Sequence, residues 1–331
     1  MPTHLLRALE QAQANPYNGA GKKPSAIIIA GMGGSAISGD VVRCLTADQL
    51  AVPLQVSRSY ELPAWINSQT LAIISSYSGD TEETLSAMKQ AHAAGAQIVC
   101  VTSGGAIGEL AARWHYPVFS LPPGFPPRSA LAFLVVPLLQ ILHRLALWEN
   151  PEPAIREAAH LLKENLALWG VSDNDQKNVP MRIAKALVER TPIIYGATLL
   201  TEVAAMRWKG QFCENAEILA WHNAFPEMNH NEIVGWRLRQ EFNSRLQPIF
   251  LRDREDHPRV QRRLDFTREL IEESGHQVIE GWSEGVSRFA RLFSLVLMGD
   301  LASLYLAIMT EVDPTPVASI TRLKQQLESV K

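Results

Sequence analysis

The sequence of 331 residues contains few cysteines, no strong excess of charge and no long uninterrupted apolar run. Its cysteines, Cys44, Cys100 and Cys213, lie far apart and form no CxxC pair, which argues against a disulfide framework or a zinc site. A formal net charge of -3 provides no basic field for nucleic acid or an anionic membrane. We therefore expect neither kind of partner.

Segments for export or membrane insertion are also missing. Residues 1–15 carry Glu10 and several glutamines, so they lack the continuous apolar region of a signal peptide. No apolar run reaches the roughly 18 residues of a membrane span. The nearest, residues 131–142, contains Pro137 and Gln140 and is typical of a buried helix. Together with the scattered cysteines, these absences predict a cytoplasmic protein.

The length of the chain favours two domains, because one hydrophobic core rarely serves so many residues. In the first half, short apolar runs alternate with helical patterns. The runs predict strands at residues 26–30, 54–56, 71–75, 97–102 and 117–121. This alternation predicts an α/β fold with a parallel, doubly wound sheet.

The second half repeats the pattern weakly. Residues 149–153 contain two prolines and predict a linker, which divides the chain into domains 1–149 and 150–331. The strand, charged loop and helix that begin at Ile73 and lead to residues 95–99 have counterparts that begin at Ile249 and lead to residues 275–279. We therefore expect two similar α/β domains.

The segment after the strand at residues 71–75 is rich in hydroxyl groups and precedes a helix. Ser76, Ser78 and Thr81, with free N–H groups and the helix dipole, would suit a phosphate. The alternative is an ordinary helix start, with Asp80 as N-cap and Glu83 completing a capping box. Capping leaves the hydroxyl groups unexplained. The repeat carries charged residues here: Arg252, Asp253, Arg254, Glu255 and Asp256. If the loop binds an anion, only the first domain does so.

A glycine-rich turn, residues 31–36, follows the first strand and fits the G-x-G-x-x-A form of a dinucleotide fingerprint. NAD would require an acidic residue where the chain has Ser57 and Arg58, although Arg58 would suit NADP. Alternatively, the glycines allow a sugar to approach the backbone, or they only permit tight packing of helix against strand. The motif alone leaves all three interpretations open.

The segment from Glu214 to Glu232 is dense in carboxylates and histidines, the groups that proton transfer beside a carbonyl requires. Taken singly, each of these residues is more typical of a surface or hydrogen-bonding group. Glu227 and His230 would suit zinc on one helix face, but no third ligand has convincing spacing. We expect no metal.

Two basic residues carry weaker signals. Arg128 lies between a proline-rich turn and a buried helix, where it would stabilise a phosphate or an enediolate, or would be a surface or capping arginine. Lys324 lies in a final amphipathic helix, and solvation of the helix face is its ordinary interpretation. Local sequence does not decide either case.

These segments, in this order, resemble the bifunctional phosphoglucose/phosphomannose isomerase family, which has two sugar-isomerase (SIS) domains. The match spans nearly the whole chain. It rests on residues 31–36, 76–84, 127–128, 214–216, 226–232, 313–317 and 323–324. The resemblance implies two three-layer αβα domains, each with a mostly parallel, doubly wound sheet.

The resemblance also implies an activity and its residues. Glucose 6-phosphate, and mannose 6-phosphate, would be interconverted with fructose 6-phosphate through a cis-enediol(ate), without metal or cofactor. Substrate would be bound by Gly33, Gly34, Ser35, Ser76, Ser78 and Thr81. The reacting groups would be the base Glu214, the ring-opening residues His230 and Lys324, and Arg128 at the enediolate. Members are dimers whose histidine acts across the interface, so the same is expected of His230.

The chain departs from the family pattern at Glu217, where members often have lysine, and residues 220–222 match no pattern that we assign. Two other functions remain as alternatives. One is a non-catalytic SIS module that senses a sugar phosphate, and the other is an NADP-dependent enzyme. For the isomerase, the resemblance implies a place in glycolysis and gluconeogenesis.

Overall fold

The computed structural model describes residues 1–19, 23–170, 177–238 and 240–327. The chain divides into two compact units: unit 1 comprises Met1–Glu164 and Gly285–Phe293, and unit 2 comprises Asn165–Glu284 and Ser294–Lys331. The predicted division after residue 149 is a simpler scheme and stays a prediction.

Unit 1 contains a five-stranded sheet. Its strands are β1 (Ala26–Ala30), β2 (Leu54–Ser57), β3 (Thr70–Ser76), β4 (Gln97–Thr102) and β5 (Val118–Ser120). Its first helices are α1 (Pro2–Ala14), α2 (Gly33–Thr46), α3 (Glu82–Ala93), α4 (Gly105–Arg113) and α5 (Leu131–Arg144). The strand order is β2-β1-β3-β4-β5, and every neighbouring pair is parallel. The predicted strands and their parallel arrangement are confirmed.

Helices cover both faces of this sheet. Ile28 of β1 belongs to a buried cluster with Met88 of α3 and Ile107 of α4. The next residue, Ile29, lies against α2, where a Cβ added to Gly39 would come within 3.1 Å of its side chain. Because successive side chains of a strand point to opposite faces, α2 and α3 lie on opposite sides of the sheet. This is the predicted doubly wound, three-layer arrangement.

Unit 2 contains a four-stranded parallel sheet with the order β7-β6-β8-β9. Its strands are β6 (Thr191–Ala197), β7 (Trp221–Phe225), β8 (Leu246–Arg252) and β9 (Ile279–Trp282). The remaining helices of the chain are α6 (Glu152–Trp169), α7 (Val179–Leu187), α8 (Leu200–Asn215), α9 (Gln240–Asn243), α10 (Pro258–Glu273), α11 (Arg288–Met309) and α12 (Ala318–Leu327). Helices α6 and α11 contribute residues to both units.

The two sheets confirm the internal repeat, because the first four strands of each unit lie in the same order. Helices α3 and α10 follow the third strands, and a glycine in the left-handed conformation follows each helix: Gly95 (φ 71°) and Gly275 (φ 85°). The repeated segments after these glycines lead into β4 at Gln97 and into β9 at Ile279.

Two helices are strongly apolar. In α5, every residue from Leu131 to Leu142 is buried, as predicted. By length and composition alone, α11 is long and apolar enough to cross a membrane. The sequence predicts this long apolar helix at about residues 289–309, although Arg291 and Asp300 interrupt its apolar run. Since 72% of its most apolar window is buried inside the protein, α11 resembles the core helix of a soluble protein.

Gly299 of α11 lies against the indole of Trp208 in α8, where an added Cβ would come within 2.3 Å of ring atoms. The ring is fully buried, and its Nε1 donates a hydrogen bond to the carbonyl oxygen of Leu295 at 2.7 Å. We expect Gly299→Ala to lower the free energy of unfolding by about 1–3 kcal/mol, which is measured as a lower melting temperature.

The matched control is Gly210→Ala in α8, where an added Cβ meets nothing within 4 Å. Alanine is the better helix former, so this variant should gain up to about 1 kcal/mol. Equal melting temperatures for the Gly299→Ala and Gly210→Ala proteins would contradict the close contact with Trp208.

Candidate active site

The carboxyl ends of β1 and β3 mark the place where unit 1 is built to bind a ligand. The strand order reverses between β1 and β3, and open α/β sheets bind ligands outside the strands at such a switch point. A glycine turn (residues 31–34) follows β1, and a Ser/Thr loop (residues 76–81) follows the body of β3. Both predicted motifs of unit 1 therefore lie at one switch point.

Tyr77 connects the Ser/Thr loop to other segments of unit 1. Its N–H donates to Ser35 Oγ at 3.2 Å, and its carbonyl oxygen accepts from Ser103 Oγ at 2.6 Å. Its hydroxyl donates to the carbonyl oxygen of Pro122 at 2.8 Å and accepts from the N–H of Phe125 at 2.9 Å. Since Tyr77 is only 7% exposed, these bonds fix the loop from inside the protein.

The Ser/Thr loop has one buried hydroxyl and two accessible ones. Ser76 is buried; its Oγ accepts from the N–H of Gly79 at 3.1 Å and lies 3.0 Å from Thr81 Oγ1. Gly79 has φ 82°, and a Cβ there would lie 1.8 Å from the carbonyl oxygen of Gly104, so only glycine fits. Ser78 is exposed and Thr81 is half-buried. Ser76 therefore shapes the loop, while Ser78 and Thr81 are accessible to a ligand.

The alternative interpretation, in which Asp80 caps α3, is wrong. Helix α3 begins at Glu82, its N-cap is Thr81, and the Thr81 side chain makes no capping hydrogen bond. Asp80 instead accepts a hydrogen bond from the N–H of Ala106 in α4 at 2.9 Å. Its carboxylate is thus used to join the loop to α4, and the dipole of α3 favours an anion at its N-terminus.

The glycine turn lies against the segment that carries Arg128. Gly33 has φ 49°, and a Cβ on Gly34 would come within 2.8 Å of the carbonyl oxygen of Pro127. Arg128 lies in the short 3-10 helix Pro127–Ser129 and is 9% exposed. Hydroxyl groups, backbone N–H groups and a segment with a guanidinium therefore meet at the switch point. These groups bind phosphates and stabilise oxyanions.

Arg58, which a dinucleotide would use, is paired within unit 1. Its guanidinium contacts the buried carboxylate of Asp40, and Arg43 lies 3.6 Å from the same carboxylate. A cavity of about 850 Å³ runs along the edge strand β2 beside both arginines. Its described lining includes no residue of the glycine turn or the Ser/Thr loop. This cavity is therefore separate from the switch point.

In unit 2, backbone N–H groups of the corresponding loop after β8 donate hydrogen bonds to carboxylates of the same loop. Asp253 Oδ1 accepts from the N–H of Glu255 at 2.8 Å, and Asp256 Oδ2 accepts from the N–H of Asp253 at 3.2 Å. Arg252 is itself held by two carboxylates. The protein's own carboxylates occupy these N–H donors. This arrangement supports the expectation that only unit 1 binds an anion at this loop.

Glu214 lies at the end of α8, which polar contacts hold against α11. Asn215 is buried, and its Nδ2 donates to Ser303 Oγ of α11 at 2.9 Å. Two turns earlier, Arg207 pairs with Asp300 of α11 at 2.8 Å. The asparagine that follows Glu214 therefore has a packing function: it anchors the helix end that carries the carboxylate.

Glu214 and His230 are carried on opposite faces of the unit 2 sheet. Trp208 of α8, the helix that carries Glu214, lies beside Leu251 of β8, since a Cβ added to Gly281 would contact both side chains. Met228, two residues before His230, instead packs in a buried cluster with Phe250. Because successive side chains of a strand point to opposite faces, the sheet lies between the two segments.

His230 and Lys324 are both exposed. His230 ends the 3-10 helix Glu227–His230, and Lys324 lies on α12, none of whose residues is buried. Glu227 lies three residues before His230 and accepts a hydrogen bond from Asn231 Nδ2 at 3.2 Å. Within the described ranges, no three His, Cys, Asp or Glu side chains are grouped so that they could hold a metal ion.

Solved structures share this fold over nearly the whole chain. A glucosamine-6-phosphate deaminase from Thermotoga maritima matches 95% of this chain and 98% of its own, with 15% identity and a TM-score of 0.68. A glucose-6-phosphate isomerase like protein from Thermus thermophilus matches 96% and 94%, with 18% identity and a TM-score of 0.64. The model of the bacterial phospho-glucose isomerase C-terminal SIS domain matches residues 176–327. The fold and the site thus define a protein of the SIS class.

Sequence relatives narrow this class. A D-glucosamine-6-phosphate 4-epimerase of Sulfolobus acidocaldarius is 33% identical over 204 residues, 61% of either chain. Bifunctional phosphoglucose/phosphomannose isomerase of Caldicellulosiruptor bescii is 40% identical over 331 residues, 100% of this chain and 98% of the relative. That of Aquifex aeolicus is 34% identical over 314 residues, 95% and 91% of the two chains. The chain belongs to the bifunctional phosphoglucose/phosphomannose isomerase family, as its motifs predicted.

The importance of Tyr77 was not evident from the sequence. Its signal was a large amphipathic side chain between Ser76 and Ser78, directly after a strand that is buried along its whole length. A tyrosine at such a position usually finds a partner for its hydroxyl inside the protein. The sequence could not identify the partners, because they lie 45 and 48 residues away.

Tyr77→Phe keeps the ring and removes both hydrogen bonds of the hydroxyl. We expect a lower melting temperature, equivalent to about 1–3 kcal/mol, and weaker binding of inorganic phosphate. The control is Tyr116→Phe, because the Tyr116 hydroxyl lies at an exposed position 2.8 Å from His92 Nδ1. If both variants melt and bind phosphate alike in calorimetry, Tyr77 does not hold the loop.

Proposed function

We propose that the protein is an aldose–ketose isomerase that interconverts glucose 6-phosphate, and also mannose 6-phosphate, with fructose 6-phosphate. Its family membership supports this activity. The observation that carries the proposal is the meeting of the Ser/Thr loop, the glycine turn and the Arg128 segment at the switch point of unit 1. Such a site matches a sugar with one phosphate and a negative charge that develops during reaction.

The Ser/Thr loop is proposed to hold the phosphate. Ser78 and Thr81 carry the accessible hydroxyl groups, while the buried Ser76 and Ser35 keep the loop in shape through Gly79 and Tyr77. The exposed Gly33 and the half-buried Gly34 leave room for the sugar beside the backbone. One phosphate is bound per chain, because the counterpart loop of unit 2 is filled by its own carboxylates.

The proposed chemistry moves protons and needs no oxidant, metal or nucleotide. Glu214 removes the proton from C2 of the open-chain aldose, which leaves a cis-enediol(ate), and then delivers a proton to C1 to give the ketose. Arg128 stabilises the negative charge on the enediolate oxygen. His230 and Lys324 transfer the proton that opens and closes the sugar ring. Each residue is assigned from the family motif that it matches.

The proposed active form is a homodimer with active sites at the subunit interface. The unit 2 sheet lies between the segments that carry Glu214 and His230, so the two groups do not meet within one copy of unit 2. A second copy of the chain supplies the histidine, with the partner's His230 completing the site. We place the enzyme in the cytoplasm, in glycolysis and gluconeogenesis.

The alternatives have less support. A non-catalytic sensor would need only the Ser/Thr loop, and it leaves Glu214, His230 and Lys324 without a function. An NADP-dependent enzyme would need Arg58 for the extra phosphate, and that arginine already pairs with Asp40.

A coupled assay tests the proposed activity directly. Purified protein in EDTA should form fructose 6-phosphate from glucose 6-phosphate and from mannose 6-phosphate. Glucosamine 6-phosphate is the comparison substrate and should react more slowly, and NADPH should not raise the melting temperature as fructose 6-phosphate does. Loss of activity in EDTA would contradict the metal-independent reaction, and conversion of glucosamine 6-phosphate alone would contradict the proposed substrate.

Glu214→Gln tests the base. The amide cannot take a proton, so exchange of the C2 proton with deuterated solvent should fall roughly a thousandfold, while calorimetry shows unchanged binding of fructose 6-phosphate. The control is Glu217→Gln: this exposed carboxylate follows the end of α8 and should leave exchange unchanged. Exchange at the normal rate in Glu214→Gln would show that another group is the base.

A further inference from the structure

We infer that Glu232 is a positioning residue for His230 and acts through Tyr195 and Asn223. The inference rests on the proposed function, because it takes the role of His230 from there. Glu232 touches no proposed substrate group, and the motifs assign it no function of its own. Its partners lie on neighbouring strands of unit 2.

The Glu232 carboxylate joins the loop after β7 to two strands of the sheet. Its Oε1 accepts from the Tyr195 hydroxyl of β6, and its Oε2 accepts from Asn223 Nδ2 of β7 at 2.5 Å. Tyr195 and Asn223 are direct register partners in the sheet. Each carboxylate oxygen is therefore bound from a different strand, which fixes the position of residue 232.

This contact lies mainly inside the protein. Tyr195 is fully buried, and its oxygen also accepts a hydrogen bond from Trp236 Nε1 at 3.1 Å. Burial and the neighbouring Glu232 carboxylate raise the pKa of Tyr195, so its hydroxyl keeps its proton and stays a donor. Hydrogen bonds to a carboxylate in such surroundings are stronger than those between neutral groups.

His230 lies between this contact and a second anchor. On one side, Asn229 Nδ2 donates to Thr267 Oγ1 of α10 at 2.9 Å, and Met228 is fully buried. On the other side, Glu232 follows after a single residue and begins the next 3-10 helix, Glu232–Trp236. The exposed imidazole is thus carried by a short segment that is held at both ends. Catalytic groups depend on such support, because small displacements lower the rate strongly.

Glu232 is not placed to act as an acid or base itself. Both of its oxygens accept hydrogen bonds from within unit 2, and its side chain is half-buried. If Glu232 served only folding, its substitution would lower stability, and the change in rate would be the same with or without His230. Dependence on His230 therefore separates positioning from folding.

The kinetic test is a double-mutant cycle of Glu232→Gln with His230→Gln. Glu232→Gln replaces the carboxylate by an amide, which has only one oxygen to accept hydrogen bonds from Tyr195 and Asn223. We expect kcat/KM to fall about tenfold with little change in KM. In the His230→Gln protein the same substitution should change nothing further, because no imidazole remains to be positioned. Rate losses that multiply, or an unchanged rate in Glu232→Gln, would overturn the inference.

A second variant and a control guard against trivial outcomes. Tyr195→Phe keeps the buried ring and removes the donor, so it should reproduce the dependence on His230 even if Glu232→Gln folds poorly. Glu269→Gln is the matched control, because its carboxylate lies in an exposed ion pair with Arg262 and should leave the rate unchanged.

Hydrogen exchange decides the structural part without any activity. Amides of residues 226–236 should exchange faster in Glu232→Gln than in the unsubstituted protein or in Glu269→Gln. Unchanged exchange would overturn the inference. If the unsubstituted protein isomerises no sugar phosphate, the proposed function fails, while the exchange result still shows whether Glu232 holds the segment.

Discussion

The candidate site depends on the hydrogen bonds of Tyr77. This residue follows the central strand β3, and its backbone and hydroxyl groups bind the start of α2, the loop after β4 and the proline-rich turn. Because a phosphate site needs donors in fixed directions, a loop with this many internal contacts is better suited than a free one. Gly79 completes the constraint, since no other residue fits against Gly104.

The two units show how one topology is used in different ways. Both have the same strand order at the switch point, yet unit 1 leaves hydroxyl groups accessible there and unit 2 fills the equivalent loop with Asp253 and Asp256. In unit 2 the proposed reacting groups lie elsewhere: the segments that carry Glu214 and His230 pack on opposite faces of the sheet. Because the two groups are separated within one chain, the proposed dimer explains how both reach one substrate.

Periodic apolar patterns predicted the strands well, because buried strands need continuous apolar runs: β1 and β4 have the predicted bounds. Short-range motifs also located the Ser/Thr loop and the glycine turn. Contacts between distant residues were not predictable. Asp80 looked like an N-cap, but its partner Ala106 lies 26 residues away, and the bonds of Glu232 to Tyr195 required knowledge of the sheet. The placement of Glu214 and His230 on opposite faces of the unit 2 sheet likewise required the packing of Trp208 and Met228.

The central claim is that the Ser/Thr loop of unit 1 holds the substrate phosphate. A crystal structure of the protein with fructose 6-phosphate tests it most directly. We expect the phosphate oxygens within about 3 Å of Ser78 Oγ and Thr81 Oγ1, at the N-terminus of α3. A phosphate bound in the cavity along β2, or beside Arg252 in unit 2, would contradict the account.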